Sequence, residues 1–173
     1  MVSENNLAAP ARRLPQPVHP EAQRIQALLG PAFEVIEFAE STHTSAEAAT
    51  AIGCNVAQIA KSLVFATRQT RRCVLVIASG ANRVDTKRIA DIAGERVRAA
   101  DPDFVASETG FIAGGVSPVG LRKSALTILD SDLASFSTIW AAAGSPTAVF
   151  ELTPAQLREL TGAEFQDIAK REG

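Results

Sequence analysis

Hydrophobic residues along this chain fall into short runs whose spacing switches repeatedly between helical and extended. Ala22, Ile25, Leu28 and Leu29 recur at helical spacing after Pro20, and Gly30-Pro31 stops the run, so a first helix is predicted over 20–29. A strand is predicted over 33–39, and Ser45 is suited to cap an alanine-rich helix that ends near Gly53. Two apolar runs, 59–67 and 72–79, are separated by a polar turn and predict a hairpin of central strands. Asp85 predicts the start of a helix that reaches Ala93 before Gly94, and Pro102 the start of another that ends near Gly110. After a glycine-rich loop come predicted strands at 126–129, around 136–141 and at 147–152, then a helix from Thr153-Pro154 to Thr161-Gly162. Hairpin-length connections sit beside helical ones, which predicts an α/β domain with a mixed sheet rather than a regular parallel one.

Composition narrows the class. With 173 residues and 46% hydrophobic positions, the chain has the size and apolar content of one folding unit. The expected organisation is a flexible arm over 1–18, marked by Pro10, Pro15, Pro17, Arg12 and Arg13, followed by a single domain over 19–173. The arm lacks the apolar core of a secretory signal, and charged residues interrupt every hydrophobic run before it reaches about 18 residues. A soluble, cytoplasmic protein without a membrane partner is expected. A net charge of −2 argues against a protein that coats DNA or RNA through many phosphate contacts. Local groups remain, at Arg68, Arg71 and Arg72, at Arg83, Lys87 and Arg88, and at Arg122 and Lys123; they suit either the end of an RNA or ordinary solvated turns. Cys54 and Cys73 have no metal-type spacing and are expected to be reduced, Cys73 packed in a strand and Cys54 more exposed at a helix end, and neither a metal nor a cofactor is expected.

Three stretches carry candidate chemistry. In QIAKSLVFAT, strand alternation puts Ile59, Lys61, Leu63 and Phe65 on one face, so Lys61 is aimed inward. A lysine there either borders a polar cleft or extends its head to solvent. In TGFIAGGVSP, Gly114-Gly115 allows a close backbone approach that can present N–H groups to a developing oxyanion, although glycine pairs also make plain turns. In SGANRVDTKR, Lys87 and Arg88 sit in a first helical turn, where cations are disfavoured. A bound phosphate would relieve the conflict, and so would Asp85, Asp91 or Asp101. His43 is either a pocket residue or part of a cap. No nucleophile elbow, P-loop or dinucleotide fingerprint is present.

Taken together, QIAKSLVF (58–65), RVDTKR (83–88), TGFIAGGVSP (109–118) and LTGA (160–163) resemble, in order and spacing, the YbaK family of aminoacyl-tRNA deacylases. That family also occurs as the editing insertion of bacterial prolyl-tRNA synthetases, and the similarity extends over about 20–169. The resemblance implies a single domain with a curled mixed sheet, a pseudo-barrel surrounded by helices. It implies a pocket for the charged 3′ end of tRNA, with Lys61 as the catalytic residue. Gly114, Gly115, Val116, Ser117 and Pro118 would approach the ester and the terminal adenosine. His43, Ser79, Gly80, Arg83, Ala142 and Ser145 complete the expected binding set. The expected activity is hydrolysis of a wrongly formed ester of alanine, cysteine, serine or threonine on tRNA, with the proline tRNA as expected carrier and prolyl-tRNA synthetase as expected partner. The alternatives are a binding module that grips the tRNA end without turnover and a hydrolase of another activated ester.

Overall fold

In the computed structural model, residues 11–42 and 44–171 are described. Five helices form where the capping chemistry predicts them: α1 (Pro20–Leu29), α2 (Ser45–Ile52), α3 (Thr86–Ala93), α4 (Pro102–Thr109) and α5 (Pro154–Thr161). The side chains of Asp85, Asp101 and Thr153 each accept a hydrogen bond from the first turn of α3, α4 and α5, and a left-handed glycine closes each of these helices. One cap shifts by a residue. Thr44, not Ser45, caps α2, its hydroxyl accepting the Glu47 N–H, so Ser45 becomes the first helical residue.

Eight strands make one sheet: β1 (Val35–Glu37), β2 (Ile59–Thr67), β3 (Cys73–Ser79), β4 (Val97–Ala99), β5 (Leu126–Asp130), β6 (Ile139–Ala142), β7 (Ala148–Leu152) and β8 (Phe165–Gln166). Their order is β1-β7-β6-β2-β3-β5-β8, and β4 pairs with β2 outside this path. Pairing is antiparallel for β2–β3, β2–β4, β6–β7 and β1–β7 and parallel for β2–β6, β3–β5 and β5–β8, giving the mixed sheet expected from the sequence. The predicted strand around 136–141 starts later, at Ile139. A 3-10 turn at Ser131–Ser135 precedes it, the Asp132 N–H capped by the Asp130 side chain.

All seven residues of β3 are buried because its two faces pack against different layers. Leu75 and Ile77 join the main core with Ile25, Val105, Phe111, Leu129, Phe150 and Leu157. Val74, Val76 and Ala78 turn the other way, with Phe65 and Ile128, onto Ile89 of α3. The cross-strand register carries this division into β2. Lys61, Leu63 and Phe65 lie opposite Ala78, Val76 and Val74, on the α3 side, whereas Ala60, Ser62 and Val64 lie opposite Ser79, Ile77 and Leu75, on the main-core side.

The arm expected over 1–18 is not loose along its described part. Arg12 O accepts the Ala39 N–H at 2.7 Å, and Leu14 N–H donates to Glu37 O at 2.8 Å, so the chain runs beside the end of β1. The carboxylate of Glu37, only 2% exposed, then accepts the N–H groups of Val18 and His19 and fixes the start of α1. Proline spacing in the sequence hides this anchor because its acceptor is a single glutamate 18 residues further on.

Candidate active site

The sheet is interrupted beside β2. The β2–β6 ladder covers only Ile59↔Trp140 and Ala60↔Ala141, and β4 pairs with β2 only from Phe65 onwards. Bonds from Gly80 N to Ile59 O and from Thr67 N to Arg72 O show that odd-numbered residues of β2 bond to β3. Even-numbered residues therefore direct their backbone groups to the opposite edge. Val64 O finds the Ala100 N–H there at 3.0 Å, while Ser62 faces the gap between β6 and β4.

A cavity of about 410 Å³ occupies this gap. Its wall is mostly apolar, including Ala60, Val64, Val105, Val116, Trp140 and Ala141, and α2 contributes Ser45 and Ala48. The volume falls in the range of small-ligand sites. Two adjacent residues of β2 give it polar character from opposite faces. Lys61 donates from Nζ to the Asn82 carbonyl at 2.6 Å. Burial draws its ammonium below the ordinary lysine value, and the charge of Asp130 opposes part of that shift. On the other face, the Ser62 Oγ is buried without a hydrogen-bond partner among the described residues. An unsatisfied buried hydroxyl costs about 1–3 kcal/mol, which a ligand or water in the cavity can recover.

A fully buried carboxylate holds the lysine's acceptor. Asp130 accepts the Ser79 N–H at 3.0 Å, the Asn82 side-chain amide at 2.8 Å and the Asp132 N–H at 3.0 Å. Asn82 also donates to Asp132, whose carboxylate is paired with Arg171. The Arg171 guanidinium, with Asn82, keeps the Asp132 carboxyl below its usual range. Lysine, turn and C-terminal segment thus form one connected polar unit. Its members Asn82 and Asp130 lie 48 residues apart, so spacing gave no sign of it.

The expected site residues divide by position. Lys61, Gly114, Val116, Ala142 and Ser145 line the cavity. His43 lies outside the described residues, although its neighbours Thr42 and Thr44 also line it. The others sit behind the wall or away from it. Ser79 donates its hydroxyl to Ala57 O, and a Cβ at Gly80 would lie 2.4 Å from Val56 O, so this pair packs the turn. Ser117 is fully buried and accepts the Val119 N–H; Pro118 follows it outside the cavity lining. Arg83 is exposed, and its carbonyl accepts the Lys170 N–H. Ser145 lines the wall, yet its hydroxyl is engaged by Thr147. For Arg88, the conflict at the start of α3 is met by protein carboxylates, since it pairs with Asp85 and Asp167.

Gly115 works through its missing side chain. A Cβ there would lie 2.8 Å from both Cα and C of Ser145, so the glycine loop touches the 145–146 backbone. Its N–H is closed onto Ile112 O, which leaves the neighbouring backbone at Gly114 and Val116 to border the cavity. Gly115→Ala is expected to force these two walls apart, costing about 1–3 kcal/mol of stability and visible as a lowered urea midpoint. An unchanged midpoint would show that the walls part freely.

Neither cysteine has thiolate character. Burial and then Glu108 push Cys73 up to about 11, and burial raises Cys54 as well. Among the described residues, no group of three or more His, Cys, Asp or Glu side chains is positioned to hold a metal ion, and no helix is long and apolar enough to cross a membrane.

The site thus combines a curled mixed sheet, opened beside one strand, with a lysine bordering an apolar cavity. The family model for the aminoacyl-tRNA editing domain matches residues 39–160, and the chain belongs to that family. It is 36% identical to the uncharacterised protein YwhH of Bacillus subtilis (strain 168), over 79% of this chain and 87% of that one. It is 33% identical to the "Putative Cys-tRNA(Pro)/Cys-tRNA(Cys) deacylase EbsC" of Enterococcus faecalis (strain ATCC 700802 / V583), over 81% and 87% respectively. A crystal structure of "a putative trans-editing enzyme for prolyl tRNA synthetase" superposes with a TM-score of 0.84 at 40% identity, covering 90% of this chain and all of that one.

Proposed function

We propose that this protein is a trans-editing deacylase that hydrolyses the ester of a small amino acid wrongly attached to a tRNA, with the proline tRNA as carrier. The observation that carries the reading is Lys61, a cation held at the wall of a cavity of about 410 Å³ by the Asn82 carbonyl. The names of the E. faecalis relative and of the superposed crystal structure support the same substrate class. Discrimination among amino acids that differ by one methylene yields only about 1–3 kcal/mol in a synthetase pocket, so a second site that removes the errors has a chemical purpose.

The reaction assigns few roles. Water adds to the ester carbonyl carbon, the developing oxyanion is met by the Lys61 ammonium and the backbone at Gly114 and Val116, and the carbon–ribose oxygen bond breaks. The ribose oxygen takes up a proton, releasing the amino acid and a tRNA with a free terminus. The substrate's own ribose hydroxyl is suited to orient the water. Apolar walls favour a small side chain, and the Ser62 hydroxyl supplies one hydrogen-bonding position among them.

The test is a panel of tRNAs charged with alanine, cysteine, serine, threonine or proline, followed for loss of each ester. Selective hydrolysis identifies the substrate. Intact esters on bound tRNA would leave only a gripping module. Within that panel, Ser62→Ala is expected to reduce kcat/KM for the preferred ester roughly tenfold, the equivalent of one lost hydrogen bond to a polar partner. Equal rates for wild type and variant would mean that only water uses this hydroxyl.

A further inference from the structure

The chain is acidic overall, yet one edge of its sheet carries a row of arginines. β4 lies antiparallel to the end of β2, with Ala66 opposite Arg98 and Thr67 opposite Val97, and Arg68 N–H extends the ladder to Arg96 O at 2.8 Å. Val97 is buried on the α3 side, so Arg96 and Arg98 project from the other face. Residues opposite each other in the ladder share a face, which adds Arg68 to the same row. Arg71, at the turn, holds a left-handed φ of 53° and stacks its guanidinium over Phe104, 5.7 Å from the ring centroid. Phe104 packs with Ala66 on that same face. Arg72 belongs elsewhere, since it donates to Ala93 O at the end of α3.

This face leads straight to the cavity. Along β2, Ser62 and Val64 line the cavity wall, Ala66 and Arg68 continue the face beyond it, and Ala99 and Ala100 of the β4 segment join the lining. At about 3.3 Å per residue, Arg98 begins roughly 7 Å from Ala100 and Arg96 roughly 13 Å. All four arginines are exposed, and none makes an ion pair among the described residues. The nearby carboxylates are partly engaged. Glu95 accepts from the Thr70 hydroxyl and from the N–H groups of Thr70 and Gln69, Asp101 caps α4, and Asp103 is exposed in the first turn of that helix.

We propose that Arg68, Arg71, Arg96 and Arg98 form the platform that receives the phosphodiester backbone of the tRNA next to its aminoacylated end. The assignment rests on the deacylase reading for its choice of polyanion. A row of guanidiniums at one-strand spacing, open to solvent and continuous with the cavity wall, matches a chain of phosphates leading away from a terminal ester. It also reconciles RNA binding with a negative net charge, because only a few phosphates need be neutralised.

The test compares wild type with Arg68→Ala/Arg96→Ala/Arg98→Ala, retaining Arg71 because it packs on Phe104. Each is assayed over a salt series with the full charged tRNA and with the same amino acid esterified to adenosine alone. The expected result is a loss of roughly tenfold in kcat/KM for the tRNA at low salt, with the log–log salt slope shallower by about 2–3, and no change for the adenosine ester. The same salt slope and affinity in both proteins, or a parallel loss on both substrates, would overturn the platform. If wild type hydrolyses neither substrate, the deacylase reading fails on its own, and binding of uncharged tRNA to the two proteins still decides the platform by the same slope criterion.

Discussion

Lys61→Ala is expected to lower kcat for ester hydrolysis by about 10²–10³, the scale set by removing one preorganised stabiliser of an oxyanion. Stability is expected to hold. The ammonium is partly desolvated, and its lowered pKa means that the folded state disfavours its charged form below that pKa, so deleting it removes an unfavourable interaction along with the bond to Asn82. A catalytic loss with an unchanged unfolding midpoint separates this role from a structural one. The pH profile gives a second check. Lys61 is cationic below its folded pKa, which lies under the ordinary lysine value, so the enzyme-dependent rate should decline on the alkaline side earlier than an unperturbed lysine would allow. Subtracting the rate measured with Lys61→Ala removes spontaneous ester hydrolysis. A flat alkaline limb would remove charge from the mechanism.

Asp130→Ala is expected to be the most destabilising change in the site. It leaves the Ser79 N–H, the Asn82 amide and the Asp132 N–H without their shared acceptor, inside a region where Asp130 is fully buried. A cost of about 3 kcal/mol follows from stranding such donors, or a fall of roughly 6–12 °C in Tm for a chain of this length. Activity should fall as well, even far below Tm, because the Asn82 carbonyl that holds Lys61 belongs to the turn this carboxylate fixes. Thermal scans paired with deacylation at low temperature test both parts. A stable variant would mean that Asp132, which also accepts from Asn82, carries the turn alone.

Much of the architecture was legible because its signals are local. Asp85 with Gly94, Pro102 with Gly110 and Thr153-Pro154 with Gly162 bracket three helices by capping chemistry that involves only neighbouring residues. The β2–β3 hairpin is equally local, two apolar runs joined by one polar turn. β4 escaped notice because it is three residues long and only Val97 is buried, too short a run for its alternation to signal a strand. β8 is two residues long and owes its existence to parallel pairing with β5. The same division runs through the site. Lys61 was conspicuous as a charge within an apolar strand, whereas Ser62 beside it looks ordinary until the fold buries its hydroxyl at the cavity without a partner among the described residues. The glycine loop was visible as composition, but the reason for Gly115 is the Ser145 backbone, 30 positions away.

Lys61 and Ser62 are successive residues of one strand and face opposite sides of the sheet. Sliding β2 by one position against β3 would exchange them, driving an ammonium into the apolar core and a hydroxyl toward the Asn82 turn. Gly80, pressed against Val56 O, and the Thr67–Arg72 bond at the other end hold that alignment at both extremities of the hairpin. The chemistry of the site is therefore written in frame, like a message whose meaning depends on where reading begins: insertions are tolerable beyond these two clamps and corrupting between them.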